Sequence, residues 1–195
     1  HDDTGISFIN KVVETEQLNV MQHEYMYNGA GVGIGDFNND GYADIYLTGN
    51  TVENKLYINE GNFTFTDHTK TSNVAGRKGW KTGTSIADVN GDGLLDIYVC
   101  YSGLGTNKDR ANQLFINKGL TKDSVPQFEE KAAEYGLDAV GSFSTQAAFL
   151  DYDLDGDLDM FLLNHSKTFF SPFYNSTKLR NARHPQFGNS LYRND

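Results

Sequence analysis

The sequence has little of several residue types, and each shortage excludes a class of protein. Its 195 residues include one cysteine, Cys100, which rules out an intrachain disulfide framework and a paired-cysteine metal site. We expect Cys100 to be a small buried hydrophobic residue. No apolar run approaches the roughly 18 residues of a membrane span, and the first residues lack the features of a signal peptide. The sequence therefore predicts a soluble protein, or the mature part of a longer one.

Basic residues and proline are also scarce. The chain has 16 lysines and arginines against 26 acids, for a net charge of -10. Such a surface repels a phosphate backbone, so nucleic acid is excluded as the main partner. Only 3 prolines stand beside 20 glycines, 13 phenylalanines and 11 tyrosines, which is typical of many strands joined by glycine turns. The composition predicts an all-β fold.

An acidic nine-residue segment occurs three times. The copies have the sequences DFNNDGYAD, DVNGDGLLD and DYDLDGDLD, at residues 36–44, 88–96 and 151–159. Each follows a small or apolar stretch and precedes a β-branched, aromatic or leucine-rich one, which indicates a loop between two strands. We call these segments the aspartate loops.

Further strands follow each loop in the same order. Third strands are indicated by NKLYIN, NQLFIN and NSLYRN, and fourth strands begin at Phe65 and Phe128. A lone fourth strand is predicted at Phe8. Repeats of four antiparallel strands at this spacing are typical of β-propeller blades, and propellers close with about 4 to 8 blades. A β-sandwich is the alternative, although it does not require repeats in phase.

The predicted organisation is about three blades of a larger, about seven-bladed, propeller. Residues 1–29 are the lone outer strand and a lead-in, 30–70 the first blade and 71–132 the second. Residues 133–195 are a third blade that lacks its outer strand and carries an insertion at about 165–188. Glycines alternate from Gly29 to Gly35, which indicates an innermost strand where blades crowd together rather than a nucleotide-binding loop.

Oxygen ligands at alternating loop positions are suited to Ca²⁺, which accepts 6 to 8 of them. We predict about three calcium ions, one for each loop. The predicted ligands are Asp36, Asn38, Asp40, Asp44 and the carbonyl of Tyr42; Asp88, Asn90, Asp92, Asp96 and the carbonyl of Leu94; and Asp151, Asp153, Asp155, Asp159 and the carbonyl of Asp157.

Three other interpretations of the loops are weaker. An EF-hand needs glutamate at its twelfth position, where this chain has Leu47, Val99 and Leu162, and it needs flanking helices. Ordinary Asp/Asn/Gly turns are common, but three copies this rich in carboxylates repel themselves without a cation. Mg²⁺ prefers fewer protein ligands than these loops offer.

These loops resemble those of the FG-GAP or VCBS-repeat family, the calcium-loop blades of integrin α-chain propellers and of many bacterial extracytoplasmic proteins. Asn164-His-Ser166 and the later LYRND segment look closest to a bacterial branch related to cartilage acidic protein, which carries an ASPIC/UnbV-type C-terminal domain. The resemblance implies a propeller, a secreted, periplasmic or cell-surface location, and a binding role rather than a catalytic one.

The insertion is the predicted ligand-binding part. Aromatic and basic residues alternate there on an otherwise acidic chain, and functional residues collect on long loops. The candidate residues are Phe169, Phe170, Tyr174, Lys178, Arg180, Arg183 and His184. Packing against a neighbouring blade is the alternative role for them.

Three functions remain open at the level of sequence. The first is a non-enzymatic module that binds a glycan or a protein, with calcium as a structural ion. The second is a calcium-dependent polysaccharide lyase or hydrolase, in which a residue such as Arg183 or His184 moves the proton. The third is a structural or self-associating segment of a larger surface protein.

Overall fold

The structure, a computed structural model, describes residues 4–166 and 184–194. Those residues contain eleven β-strands in three antiparallel sheets, and no helix. The first sheet contains β1 (Val32–Gly35), β2 (Asp44–Leu47), β3 (Lys55–Asn59) and β4 (Phe65–Asp67). The second contains β5 (Trp80–Ala87), β6 (Asp96–Ser102), β7 (Gln113–Leu120) and β8 (Pro126–Glu130). The third contains β9 (Ser144–Leu150), β10 (Asp159–Asn164) and β11 (Ser190–Tyr192).

Each sheet is a meander in which consecutive strands pair. The order is β1-β2-β3-β4 in the first sheet, β5-β6-β7-β8 in the second and β9-β10-β11 in the third. The register repeats as well, since Gly35 opposes Asp44 in the first sheet as Ala87 opposes Asp96 in the second. The prediction of an all-β fold made of antiparallel blade-like units is therefore confirmed. Strands flank every aspartate loop, as they do not in an EF-hand.

Two apolar cores hold the sheets together. One contains Tyr46, Leu56, Val99 and Phe115 and joins the first sheet to the second. The other contains Tyr98, Leu114, Met160 and Leu162 and joins the second sheet to the third. Neighbouring residues of β6 contribute to opposite cores because successive side chains of a strand point to opposite faces. The strand Asp96–Ser102, which contains Cys100, is accordingly buried along its whole length.

The first strands of the sheets pack against each other. β5 contacts β1 on one side and β9 on the other. Glycine permits this approach, because a Cβ at Gly31 would overlap the backbone of Thr84, and a Cβ at Gly83 would overlap Thr145 and Gln146. Gly33 and Gly35 thus belong to a first strand that lies close to its neighbour, and Gly31 directly precedes that strand.

The segment before β1 differs from the prediction. No strand lies between residues 4 and 31, where the sequence predicts an outer strand that starts at Phe8. A strand needs a partner with a continuous ladder of hydrogen bonds, whereas among the described residues of this segment one backbone hydrogen bond reaches β4, from the Phe65 N–H to the Thr4 carbonyl. Ile9 and Val13 remain more than half exposed. Alternating apolar residues alone were therefore a misleading signal here.

Candidate metal centres

The aspartate loops begin where the first strand of each sheet ends, so all three lie at the same end of the sheets. In the first loop the Asp36 carboxylate accepts hydrogen bonds from the N–H groups of Asp40, at 3.1 Å, and Gly41, at 2.8 Å. Asp88 accepts the same two bonds in the second loop, and Asp151 accepts them in the third. The loops thus share one backbone conformation, which directs their oxygen-bearing side chains inward.

The glycine at the sixth position makes this turn possible. Gly41, Gly93 and Gly156 have φ angles of 90°, 84° and 101°, a region that side-chain-bearing residues rarely adopt. The side chain at the third position also helps, because the amides of Asn38 and Asn90 donate to Asp40 and Asp92. The first two loops are therefore closed by contacts within the loop.

The ninth-position aspartates have a role that the sequence analysis missed. Asp96 is fully buried, and its carboxylate accepts hydrogen bonds from the Val89 N–H in the loop, at 2.9 Å, and from the Asn117 N–H in β7, at 2.8 Å. Asp44 and Asp159 are also fully buried and make the equivalent pair of bonds. Each of these residues therefore ties its loop to the third strand of the sheet.

The sequence contains one signal for this role of the ninth-position aspartates, a repeated asparagine. The third-strand segments all end in asparagine, at Asn59, Asn117 and Asn194. The Asn59 amide donates to the Ala43 carbonyl at 3.1 Å, and the Asn117 amide donates to the Leu95 carbonyl at 3.3 Å. Both acceptors are the eighth residue of a loop, so aspartate and asparagine together fix the end of each loop.

Burial changes the pKa of the ninth-position carboxylates. The pKa of Asp44 and of Asp96 is raised to about 6, mainly by burial and to a smaller degree by the loop carboxylates Asp36, Asp40, Asp88 and Asp92. Hydrogen bonds from the backbone N–H groups oppose this rise. A cation in the loop would favour the charged form of all these carboxylates.

The third loop concentrates the most negative charge. Asp151, Asp153 and Asp159 place carboxylate oxygens within 4.8 Å of one another. Two ligands on opposite sides of one calcium ion are about 4.6 to 5.2 Å apart, so this spacing suits a shared cation. The Arg193 guanidinium, 2.7 Å from Asp153, already neutralises part of the charge. Desolvation nevertheless raises the pKa of Asp153 and of Asp157.

The carbonyl ligands at the seventh loop positions, and Asp155, stay predictions. The N–H groups of Tyr42 and Leu94 donate to Asp40 and Asp92, so the first and second loops place these seventh residues beside a carboxylate. Their carbonyls, and that of Asp157, are the atoms predicted to bind the ion. Asp155 accepts a hydrogen bond from the Asp157 N–H, and the pKa of Asp155 is lowered as a result.

Most of the predicted ligand-binding insertion lies outside the described residues. This applies to Phe169, Phe170, Tyr174, Lys178, Arg180 and Arg183. His184 is described, and its exposed ring stacks on Phe187 at 4.0 Å. Phe187 contacts Phe143, which in turn contacts His165 after β10. His184 therefore lies at the end of the sheets opposite the aspartate loops.

The sequence analysis also missed a serine and histidine pair at that opposite end. The Ser102 hydroxyl lies 2.6 Å from His165 Nε2, although the two residues are 63 positions apart. His165 Nδ1 lies 3.0 Å from the Ser166 carbonyl, which accepts only, so Nδ1 carries the proton and Nε2 accepts from Ser102. The repeat places both residues at strand ends, but no spacing in the sequence joins them.

Part of the chain matches a known protein family. Residues 36–99 match the family described as FG-GAP-like repeat. No curated protein sequence matches the chain. Among the described residues no helix is long and apolar enough to cross a membrane. The matched segment runs from the first aspartate loop through the second and into β6. Residues 36–99 are therefore similar to an FG-GAP-like repeat, and the antiparallel four-stranded sheets are consistent with propeller blades.

Proposed function

We propose that this module binds calcium in its aspartate loops and acts as a non-enzymatic binding or adhesion domain outside the cytoplasm. The observation that carries the calcium proposal is the third loop, where Asp151, Asp153 and Asp159 bring their oxygens within 4.8 Å of one another. Oxygen-only ligand sets of this kind suit hard cations, and their flexible geometry suits Ca²⁺ better than Mg²⁺.

Calcium in this proposal is a structural ion. It would offset the repulsion among the loop carboxylates and fix the end of each sheet where first and second strands meet. Extracellular calcium modules bind their ions with dissociation constants on the order of 10⁻⁴ to 10⁻³ M, which suits a protein exposed to calcium outside the cytoplasm. The partner is proposed to be a glycan or another protein.

The metal is tested by calcium titration of chelator-treated protein, followed by thermal unfolding and calorimetry. Saturating CaCl₂ is expected to raise the melting temperature, because an ion that binds only the folded state adds about 2.7 kcal/mol at 100 times its dissociation constant. MgCl₂ at the same concentration is expected to have a smaller effect. An unchanged melting temperature together with no binding heat would refute the calcium proposal.

A substitution in the third aspartate loop tests whether an ion binds there. Asp153→Ala removes a carboxylate of the third-loop cluster, and Glu16→Ala, at an exposed position in the segment before β1, is the control. The first is expected to bind one calcium ion fewer than the parent protein, and the second is expected to bind the same number. Turnover of a uronate-containing polysaccharide by the parent protein would instead favour the lyase or hydrolase.

A further inference from the structure

A pocket lies at the end of the sheets opposite the aspartate loops. It has a volume of about 220 Å³ and opens where the first strands begin, at Gly31, Gly83 and Thr145. We call it the inner-strand pocket. A larger cavity of about 400 Å³ lies between the second and third aspartate loops, but its wall includes Asp88 and Asp157 and thus belongs to the candidate metal centres.

A residue in the wall of the inner-strand pocket has a buried polar atom without a partner. His23 is 5% exposed, and its Nε2 atom is buried and makes no hydrogen bond. Such an orphaned atom costs free energy unless a ligand or water satisfies it. The His23 ring meets the edge of Trp80 at 4.7 Å, which fixes the imidazole against the pocket wall. The wall therefore contains one hydrogen-bonding atom that the described protein groups leave unused.

The other walls are aromatic or carry neutral polar groups. Tyr25 lies across the pocket, with its ring 4.1 Å from that of His165. The Gln146 amide is held in place because it donates to the Thr84 carbonyl at 3.0 Å. The lining described by the structure includes no aspartate, glutamate, lysine or arginine. The Glu24 carboxylate hydrogen-bonds to Tyr25 just outside this lining, and its charge disfavours an anionic ligand.

Both histidines are neutral near pH 7. Burial, with a smaller contribution from His165, lowers the pKa of His23 to about 4. Burial also lowers the pKa of His165. The pocket thus combines ring faces with neutral donors and acceptors, which is the chemistry that recognises a polyhydroxylated ring. Its volume is below the roughly 300 Å³ at which sites for drug-sized ligands begin, so it suits one six-membered ring.

We propose that the inner-strand pocket binds a single neutral sugar ring, such as one pyranose unit of a glycan, with His23 and Tyr25 in contact with the sugar. This proposal deepens the proposed binding role and rests on it. It places a ligand site at the ends of the inner strands, while the role of the insertion in binding stays a prediction.

The test uses the only tryptophan of the chain, Trp80, as the reporter. Methyl glycosides of neutral hexoses are titrated into the whole protein in calcium buffer, with a methyl uronate and ZnCl₂ as comparison ligands. A saturable change in tryptophan emission with at least one neutral glycoside, confirmed by calorimetry, is expected. No response to any neutral glycoside, or a response to the uronate or Zn²⁺ alone, would overturn the proposal.

Two variants test whether the sugar binds in the inner-strand pocket. His23→Ala and Tyr25→Ala are each expected to weaken sugar binding by about 10-fold, measured by calorimetry because His23 also touches the reporter. His68→Ala, a half-buried histidine directly after β4 and outside the pocket, is the control and is expected to bind normally. Should His23→Ala fail to fold, Tyr25→Ala decides, since its ring is only partly buried. Unchanged affinity in a folded variant contradicts the proposal.

The same protein samples separate this proposal from the calcium proposal. A calcium-dependent rise in melting temperature without sugar binding overturns the pocket alone. Sugar binding without any calcium effect overturns the metal alone.

Discussion

Single aspartates in this chain hold strands together, independently of any ion. Asp96 accepts hydrogen bonds from Val89 and Asn117 at a fully buried position. Removal of the carboxylate would leave two buried N–H groups without acceptors, and each such group costs about 1 to 3 kcal/mol. Aspartate at this position would therefore be needed even in a sheet that had lost its calcium.

We accordingly predict that Asp96→Ala lowers the free energy of unfolding by about 2 to 4 kcal/mol in excess chelator. Urea denaturation with the chelator present provides the measurement, because it excludes loss of metal as the cause. Asp123→Ala, in an exposed turn, is the control and is expected to change little. Equal stability of the two variants would mean that Asp96 serves only as a metal ligand.

Lys81 in β5 gives a prediction for alkaline pH. It is 2% exposed, and burial, with help from the nearby Arg77 charge, lowers its pKa to about 8. Because the folded pKa lies below the unfolded value near 10.5, the unfolded chain binds more protons between these two values. This residue therefore makes the protein more stable as the pH rises from 8 to 10.

The corresponding variant is Lys81→Met. At pH 7 it is expected to be more stable than the parent by about 1 to 3 kcal/mol, since the buried charge is gone. The hydrogen bond from Lys81 to the Arg77 carbonyl is lost at the same time, which limits the gain. The difference is expected to shrink towards pH 10 in denaturant melts. Lys118→Met, at an exposed position, should show no such pH trend.

The first strands of the sheets depend on glycine to different degrees. At Gly31 an added Cβ would overlap the backbone of Thr84, which has nowhere to move. At Gly33 it would meet the end of the Ile86 side chain, which can change its rotamer. Two alanine substitutions, one directly before β1 and one within it, thus separate backbone contact from side-chain contact.

Gly31→Ala is expected to destabilise the protein by about 2 to 3 kcal/mol, and Gly33→Ala by about 1 kcal/mol or less. Thermal and urea unfolding under one set of buffer conditions give both values. If the two substitutions cost the same, backbone contact between the first and second sheets does not decide the spacing of the inner strands.

The sequence determined most strands but not all of them. Third and fourth strands were predictable because their apolar residues recur in phase with the aspartate loops, as at Phe65 and Phe128. The segment at Phe8 carries similar residues without a paired neighbour, and pairing is a property of the folded chain. For the same reason, sequence reasoning missed the inner-strand pocket, where His23, Ser102 and His165 come from distant positions.

The charge of the whole molecule leads to a prediction about salt. The net charge is -10, and the aspartate loops hold many of the acids at one end of the sheets. Self-repulsion of this kind destabilises the folded state and is screened by ions. Calcium-free protein is therefore expected to gain thermal stability when NaCl is added.

Calcium-loaded protein provides the contrast. Neutralised loops repel each other less, so NaCl is expected to raise the melting temperature by a smaller amount when CaCl₂ is present. The two salt series differ only in divalent ion, and the comparison is made by calorimetric scans. An identical salt effect in both series would indicate that the repulsion lies outside the loops.

The bonds made by Asp44, Asp96 and Asp159 also bear on mechanical load. Each carboxylate accepts one hydrogen bond from a loop N–H and one from an N–H at or just after the end of the third strand. Asp96 does so with Val89 and Asn117. A force applied along the third strand is therefore distributed over the hydrogen bonds between the strands and those of this side chain. All of these bonds must break for the strand to separate. A module that adheres under tension would resist extension most strongly at the end of its sheets that carries the loops.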